Sequence, residues 1–210
     1  MSRNTPTTAE LDPHLIFTVQ LEVQSVYNKT MKIVLHICCG VCAAGVVERL
    51  TSEGHQVLGL FYNPNIHPSQ EYNRRLEAAY KVAKELNFPL EVPPYTPEEW
   101  FKEASYLENE PEGGRRCGVC FRVRLKKTCL YMEGYGWDAF TTTLTISSHK
   151  SADVINQIGQ EVGGERFLVR NFKKKEGFKQ ALELSKRWAL YQQNYCGCIY
   201  SMRKRKSATD

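Results

Sequence analysis

Two periodicities share this chain, and the switches between them lay out strands and helices in alternation. Residues 32–37 (KIVLHI) and 56–62 (QVLGLFY) are near-continuous apolar runs, the pattern of strands buried on both faces of a parallel sheet. Between them, 42–50 (CAAGVVERL) reads as a short helix closed by Glu53-Gly54. Asn63-Pro64-Asn65 forms a turn after the second run. Ser69 opens a long helix in which Leu76, Ala79, Tyr80, Ala83 and Leu86 recur at helical spacing, and Asn87 and Pro89 stop it. A third short strand is expected over 90–92. Pro97-Glu98-Glu99 is a favourable first helical turn, since proline has no amide hydrogen to lose and the acids meet the positive dipole end. A polar loop over 108–114 leads to a helix over 118–133. The spacing then predicts a fourth strand over 139–146, a helix over 150–162, a brief fifth strand over 166–169 and a last helix over 178–190.

This order predicts a three-layer α/β fold with a mostly parallel sheet. Ligands of such folds sit beyond the carboxyl ends of the strands. Cys38, Asn63 and Ser147 each follow a strand, so their strand ends are expected to converge on one crevice. Residues 1–30 read as an N-terminal extension with a short helix in the apolar stretch 15–26, and 31–206 as a single α/β domain. A length of 210 residues leaves little room for a second core. No run approaches the 18 or so apolar residues of a membrane span. The first residues lack the basic and apolar segments of a secretory signal, so a cytoplasmic protein is expected.

Eight cysteines change the picture, because a reducing compartment gives them little use as staples. Seven fall in three groups: Cys38, Cys39 and Cys42; Cys117 and Cys120; Cys196 and Cys198. Cys129, among Leu125, Leu130 and Tyr131, reads as packing. Neighbouring side chains on a strand point oppositely, but a bend at the strand end brings Cys38 and Cys39 to one centre, with Gly40 supplying backbone freedom. Cys42 then falls in the first turn of the following helix. Cys117-Gly-Val-Cys120 lies near a helix N-terminus, which favours thiolates, and fits half a metal site or a dithiol redox pair. Two sulfurs from each motif make a four-sulfur set suited to zinc or to an iron–sulfur cube. A closed zinc site leaves the other three clustered cysteines unexplained. Cys196-Gly-Cys198 suits a strained, readily reduced disulfide, with further metal ligation or surface thiols as the plainer alternatives.

The charge is unevenly spread. The whole chain carries +5, yet 171–206 holds ten Lys/Arg, among them Lys173, Lys174, Lys175, Arg203, Lys204 and Arg205, against only Glu176 and Glu183. Arg115 and Arg116 begin a second basic group beside Cys117. Basic patches next to cysteine pairs point to a polyanion, RNA or DNA, with no amphipathic anchor to suggest a membrane. Aromatics interleave with these groups (Phe61, Tyr62, Tyr72, Phe121, Trp188, Tyr191 and Tyr195); most read as core or groove walls, and one or two at the crevice are candidates to hold a flipped base.

HICCGVC at 36–42, FYNPNIHPSQEYNRR at 61–75, GRRCGVCFRVRL at 114–125, FTTTLTISSHK at 140–150 and YCGC at 195–198 resemble the epoxyqueuosine reductases of the QueH type. The resemblance runs from about residue 32 to 202, in order. It implies an adenine-nucleotide alpha-hydrolase-like fold (HUP, Rossmann-like). It also implies reduction of the epoxide of epoxyqueuosine at the tRNA wobble position, giving queuosine and water, the last step of queuosine synthesis, without cobalamin. By the same resemblance Cys38, Cys39, Cys117 and Cys120 hold a 4Fe-4S cluster, and Cys196 and Cys198 are a redox-active pair. Cys42 matches a position that binds a second metal in some members, an adjacent mononuclear iron. An external electron donor is implied as well. The family more often has Ala-Pro where this chain has Gly40-Val41, which changes the local turn and not the sulfur count. Asn63, Asn65, Glu71, Thr142 and His149, at or beyond strand ends, are candidates to bind the substrate ring or to supply protons.

Two other classes compete. An ATP-dependent tRNA thiolation enzyme needs a Ser-Gly-Gly-x-Asp-Ser phosphate loop after the first strand, where this chain has Cys38-Cys39-Gly40-Val41-Cys42. A zinc/RNA-binding module would be colourless, whereas an iron–sulfur protein is brown.

Overall fold

The computed structural model describes residues 30–174 and 176–206; the helix expected within 15–26 lies outside them. Strands β1 (Lys32–His36), β2 (Gln56–Leu60), β3 (Leu90–Glu91) and β4 (Ala139–Thr142) form one parallel sheet in the order β3-β2-β1-β4. Helix α1 (Gly40–Ser52) joins β1 to β2, and α2 (Ser69–Glu85) joins β2 to β3. Helices α3 (Pro97–Ala104) and α4 (Arg115–Gly134) then carry the chain to β4, on the far side of β1. The order reverses between β1 and β4, and that switch point is where an open α/β sheet has its crevice.

Alternation along β1 builds a core on each face of the sheet. Ile33, Leu35 and Ile37 pack with Val46, Val47 and Leu50 of α1, Val82 of α2 and Leu184 of α6 (Gly177–Arg187). Val34 points the other way, to Leu58, Leu60 and Phe140, beneath Leu125 and Met132 of α4 and Ile155 of α5 (Ala152–Gly163). The three layers expected from the sequence are therefore present.

Three expectations are corrected. The fourth strand stops at Thr142, whose Oγ1 accepts from Leu144 N at 3.1 Å and starts a 3-10 turn over Thr143–Ile146; a threonine hydroxyl offers the backbone this alternative to a ladder. The fifth strand reduces to one bridge, Phe140 to Phe167, because Thr141 Oγ1 donates to the Leu168 carbonyl at 2.9 Å. The cysteine-bearing helix starts at Arg115, so Gly118 lies inside it. A further helix, α7 (Ile199–Lys206), follows the last cysteines and had no period to announce it. Gly40 also has a different reason from the one expected: a Cβ there would lie 2.6 Å from the Ala78 carbonyl oxygen, so the residue permits α1 to start hard against α2.

Candidate thiol-lined active site

β1 delivers its cysteines to the switch point and the next turn holds them there. Cys39 is the N-cap of α1, its Sγ accepting from Cys42 N at 3.5 Å. Cys38 Sγ lies 3.8 Å from Cys39 Sγ and accepts from Thr143 Oγ1 at 3.3 Å, while Cys38 N donates to the same hydroxyl oxygen at 3.1 Å. All three sulfurs lie within 4.8 Å of one another, a group able to hold a metal ion. Hydrogen bonds from Cys39 and then Cys42 hold the Cys38 thiol well below its usual pKa. The same contacts push Cys39 up to about 12 and Cys42 well above its ordinary value. Three sulfurs this close together are a donor set prepared for a cation.

His36 supports this end of the sheet from below. Fully buried, its Nε2 lies 3.2 Å from the Tyr62 carbonyl and its Nδ1 2.9 Å from Thr142 Oγ1. A carbonyl only accepts, so Nε2 carries the proton and Nδ1 receives the Thr142 hydroxyl. Burial, helped by the Arg124 charge, holds the ring neutral with its pKa lowered to about 3.

The other two motifs meet each other. Cys117 and Cys120, in the first turns of α4, line a lobe of the crevice with Cys196, Cys198, Trp100 and Phe121. Burial raises both Cys117 and Cys120, opposed at Cys117 by Gly113 N, which donates to its Sγ at 3.2 Å, and at Cys120 by the Arg124 charge. Cys196 is lowered to about 6, first by its hydrogen bond with Cys198 and then, against burial, by Ser201; Cys198 is raised by the same contact. All eight cysteines are free thiols.

A buried ion pair fixes the Cys-Gly-Cys turn. Arg75 Nε donates to Glu71 Oε1 at 2.7 Å, and its Nη2 and Nη1 donate to the Tyr195 and Cys196 carbonyls at 2.9 and 3.2 Å. Tyr191 closes the second oxygen of Glu71 at 2.6 Å, and the Tyr195 hydroxyl donates to the His67 carbonyl. Gly197 sits at φ +101°, a conformation that disfavours any side chain.

A cavity of about 400 Å³ opens over these groups, lined by Cys38, Cys42, Asn63, Asn65, Ser147 and Cys196 among others. Asn65, Arg124, His149, Lys150 and Cys196 also line the neighbouring lobe with Cys117 and Cys120. The strand ends expected to converge do so.

Not every candidate residue reaches it. Glu71 has both oxygens engaged and Thr142 is tied to His36, and neither lines the crevice. Arg116 lines the lobe with Cys117 and Cys120, but its expected role as a surface contact for tRNA is corrected: it is 1% exposed and its Nη1 donates to the carbonyls of Leu107, Glu108 and Glu110. Lys173 donates to the Lys150 carbonyl at 2.8 Å, Lys174 and Arg115 are exposed, and His149 is exposed at the rim. Lys175 and the side chains of Arg203, Lys204 and Arg205 lie outside the described residues. Sequence reasoning passed over Arg75, Lys150 and Gln193 and took Arg124 only as one member of a basic group, because polar and charged residues without an apolar pattern read as solvated surface.

The family profile of Epoxyqueuosine reductase QueH matches residues 33–204. The chain belongs to this family. It is 39% identical over 176 residues to the Epoxyqueuosine reductase QueH of Acinetobacter baylyi, covering 82% of this chain and 81% of that one. To the Haemophilus influenzae enzyme of the same name it is 37% identical over 197 residues, covering 91% and 79%. As a QueH enzyme the protein reduces epoxyqueuosine to queuosine. Among solved structures, the U34-tRNA thiolase NcsA from Methanococcus maripaludis with its 4Fe-4S cluster superposes with a TM-score of 0.53 at 13% identity, covering 93% of this chain and 72% of that one. That likeness is one of fold. Among the described residues no helix is long and apolar enough to cross a membrane.

Proposed function

We propose that this QueH enzyme reduces the epoxide while the base is still in tRNA, using a 4Fe-4S cluster held by Cys38, Cys39, Cys117 and Cys120, with Cys196 and Cys198 as a redox-active pair. The observation that carries this reading is the position of Cys196, which lines both the lobe with Cys38 and Cys42 and the lobe with Cys117 and Cys120. Thiol-only donor sets suit iron–sulfur ligation. Cys42, beside Cys38 and Cys39, suits an adjacent mononuclear iron. The parallel sheet with its crevice at the switch point fits the adenine-nucleotide alpha-hydrolase-like class, with residues 31–206 as one catalytic domain. Eight free thiols fit a cytoplasmic setting.

Converting the epoxide to an alkene takes two electrons and two protons and releases the oxygen as water. A bound 4Fe-4S cluster supplies electrons one at a time. The two thiols of Cys196 and Cys198 release two electrons and two protons on closing to a disulfide, the count the epoxide needs, and an external donor then reduces them again. Arg75 and Glu71 hold the turn that carries the pair. Asn63, Asn65 and His149 receive the modified base, while Glu71 and Thr142 support that wall from behind. Arg115, Lys173, Lys174 and Lys175, with Arg203, Lys204 and Arg205, offer the tRNA backbone positive charge.

Iron and sulfide assays on anaerobically purified protein, joined to thiol counting, test this reading. Acid-labile sulfide, iron equal to it or in excess of it where the Cys42 site is loaded, brown colour and loss of two thiols on oxidation are expected. A colourless zinc protein would defeat it.

A further inference from the structure

The crevice presents two kinds of polar group from different parts of the chain. Asn63 Oδ1, Asn65 Oδ1 and Gln193 Oε1 are buried acceptors with no donor among the described residues, and all three residues line the cavity. Asn63 and Asn65 are 1% and 3% exposed. Asn63 Nδ2 donates to the Ile37 carbonyl at 2.8 Å and Gln193 Nε2 to Cys39 Sγ at 3.1 Å, which fixes which end of each amide is left over. Buried acceptors without donors cost free energy, so a group of them marks a ligand that brings donors.

Arg124 and Lys150 line the same space and offer only donors. Arg124 is 3% exposed and has no carboxylate partner among the described residues. Lys150 Nζ donates to Ser147 Oγ at 3.5 Å and has two further protons. These cations come from α4 and the turn before α5. The acceptors come from the loop after β2 and the segment after α6. Arg75 also lines this space, but its guanidinium is taken by Glu71 and by the Tyr195 and Cys196 carbonyls, and Glu112, the acidic group near Cys196, is exposed at the rim.

We propose that the crevice sorts the oxygens of the substrate ring: the amide carbonyls of Asn63, Asn65 and Gln193 receive the ring hydroxyls, and Arg124 and Lys150 receive the epoxide oxygen. This rests on the epoxyqueuosine reading and adds which side chains distinguish which oxygen. An epoxide oxygen only accepts, so three carbonyl oxygens repel it, whereas a hydroxyl donates to them. Reduction removes the epoxide oxygen as water and leaves the hydroxyls. The product therefore keeps its amide contacts and loses those to the cations, which favours its release.

The test is equilibrium binding of one tRNA in three forms, carrying epoxyqueuosine, queuosine or unmodified guanosine, to the iron-loaded enzyme without an electron donor. Asn65→Leu and Gln193→Met should each weaken both modified tRNAs by roughly fivefold, the scale of one net hydrogen bond, and leave the unmodified tRNA unchanged. Lys150→Met, chosen because Arg124 also holds Cys120, should weaken the epoxyqueuosine tRNA alone. The cluster absorption of each variant reports that the fold is intact. Unchanged ratios of modified to unmodified binding in both amide variants would overturn the sorting, as would equal losses on all three tRNAs in Lys150→Met. A wild-type enzyme with no preference for the modified tRNAs would instead overturn the reading on which the sorting rests.

Discussion

Arg124 Nη2 donates to Cys120 Sγ at 3.3 Å, one helical turn back along α4, and its Nε donates to the Cys120 carbonyl at 3.0 Å. A buried guanidinium without a carboxylate needs other acceptors, and here they are the carbonyl and the sulfur of one cysteine. Hydrogen bonds to ligand sulfurs and nearby positive charge both favour the reduced form of an iron–sulfur centre. Arg124→Gln should therefore keep its iron and show a more negative midpoint potential in an EPR-monitored redox titration, with Arg124→Lys restoring part of the shift. An unchanged potential would assign Arg124 to packing.

The proposed ligand set gives a graded series. Cys38→Ala, Cys39→Ala, Cys117→Ala and Cys120→Ala should each lose most of the iron, measured by metal analysis after anaerobic purification. Cys129→Ala should keep it, since Cys129 packs in the core with Leu125 and Phe140 and lines neither lobe of the crevice. Cys42→Ala should retain the cluster absorption. If it does not, while one of the four does, Cys42 replaces that residue in the set.

Cys196 should be the reactive member of its pair. The thiolate is the nucleophile, and a pKa lowered to about 6 places it on the rising limb of its titration in mildly acidic buffer. Iodoacetamide labelling of the reduced protein, read by peptide mass spectrometry, should rise at Cys196 between roughly pH 5 and 7. Cys198, raised by the same contact, should stay slow across that range. Equal labelling of the two would remove the asymmetry.

Much of this was legible in the chain and some was not. The unbroken apolar runs of β1 and β2 announced a parallel sheet, and the cysteine spacings announced their own clustering. Thr142 defeated strand assignment over 143–146 because its hydroxyl caps a turn that the β-rich composition conceals. Arg116 read as a nucleic-acid contact, yet three carbonyls at the end of the preceding loop claim its guanidinium. Gln193, amid a polar stretch with no period, carried no signal for its bond to Cys39, 154 residues away.

The Glu71–Arg75 pair should matter to stability as well as to position. Both side chains are under a tenth exposed, and removing one partner leaves the other charge buried at a cost of about 3–5 kcal/mol. Glu71→Gln and Arg75→Met should each lower the denaturation midpoint strongly, and the double variant should lose less than their sum. Additive losses in denaturant titrations would show that the two residues act separately.

The most direct measurement is anaerobic incubation of the iron-loaded enzyme with a strong one-electron donor and tRNA carrying epoxyqueuosine, followed by mass spectrometry of the digested nucleosides. Queuosine should appear as epoxyqueuosine disappears, and Cys196→Ser with an intact cluster should not sustain repeated turnover. Wild-type protein with its cluster intact and its donor oxidised, yet no queuosine formed, would contradict electron delivery to the epoxide in this crevice.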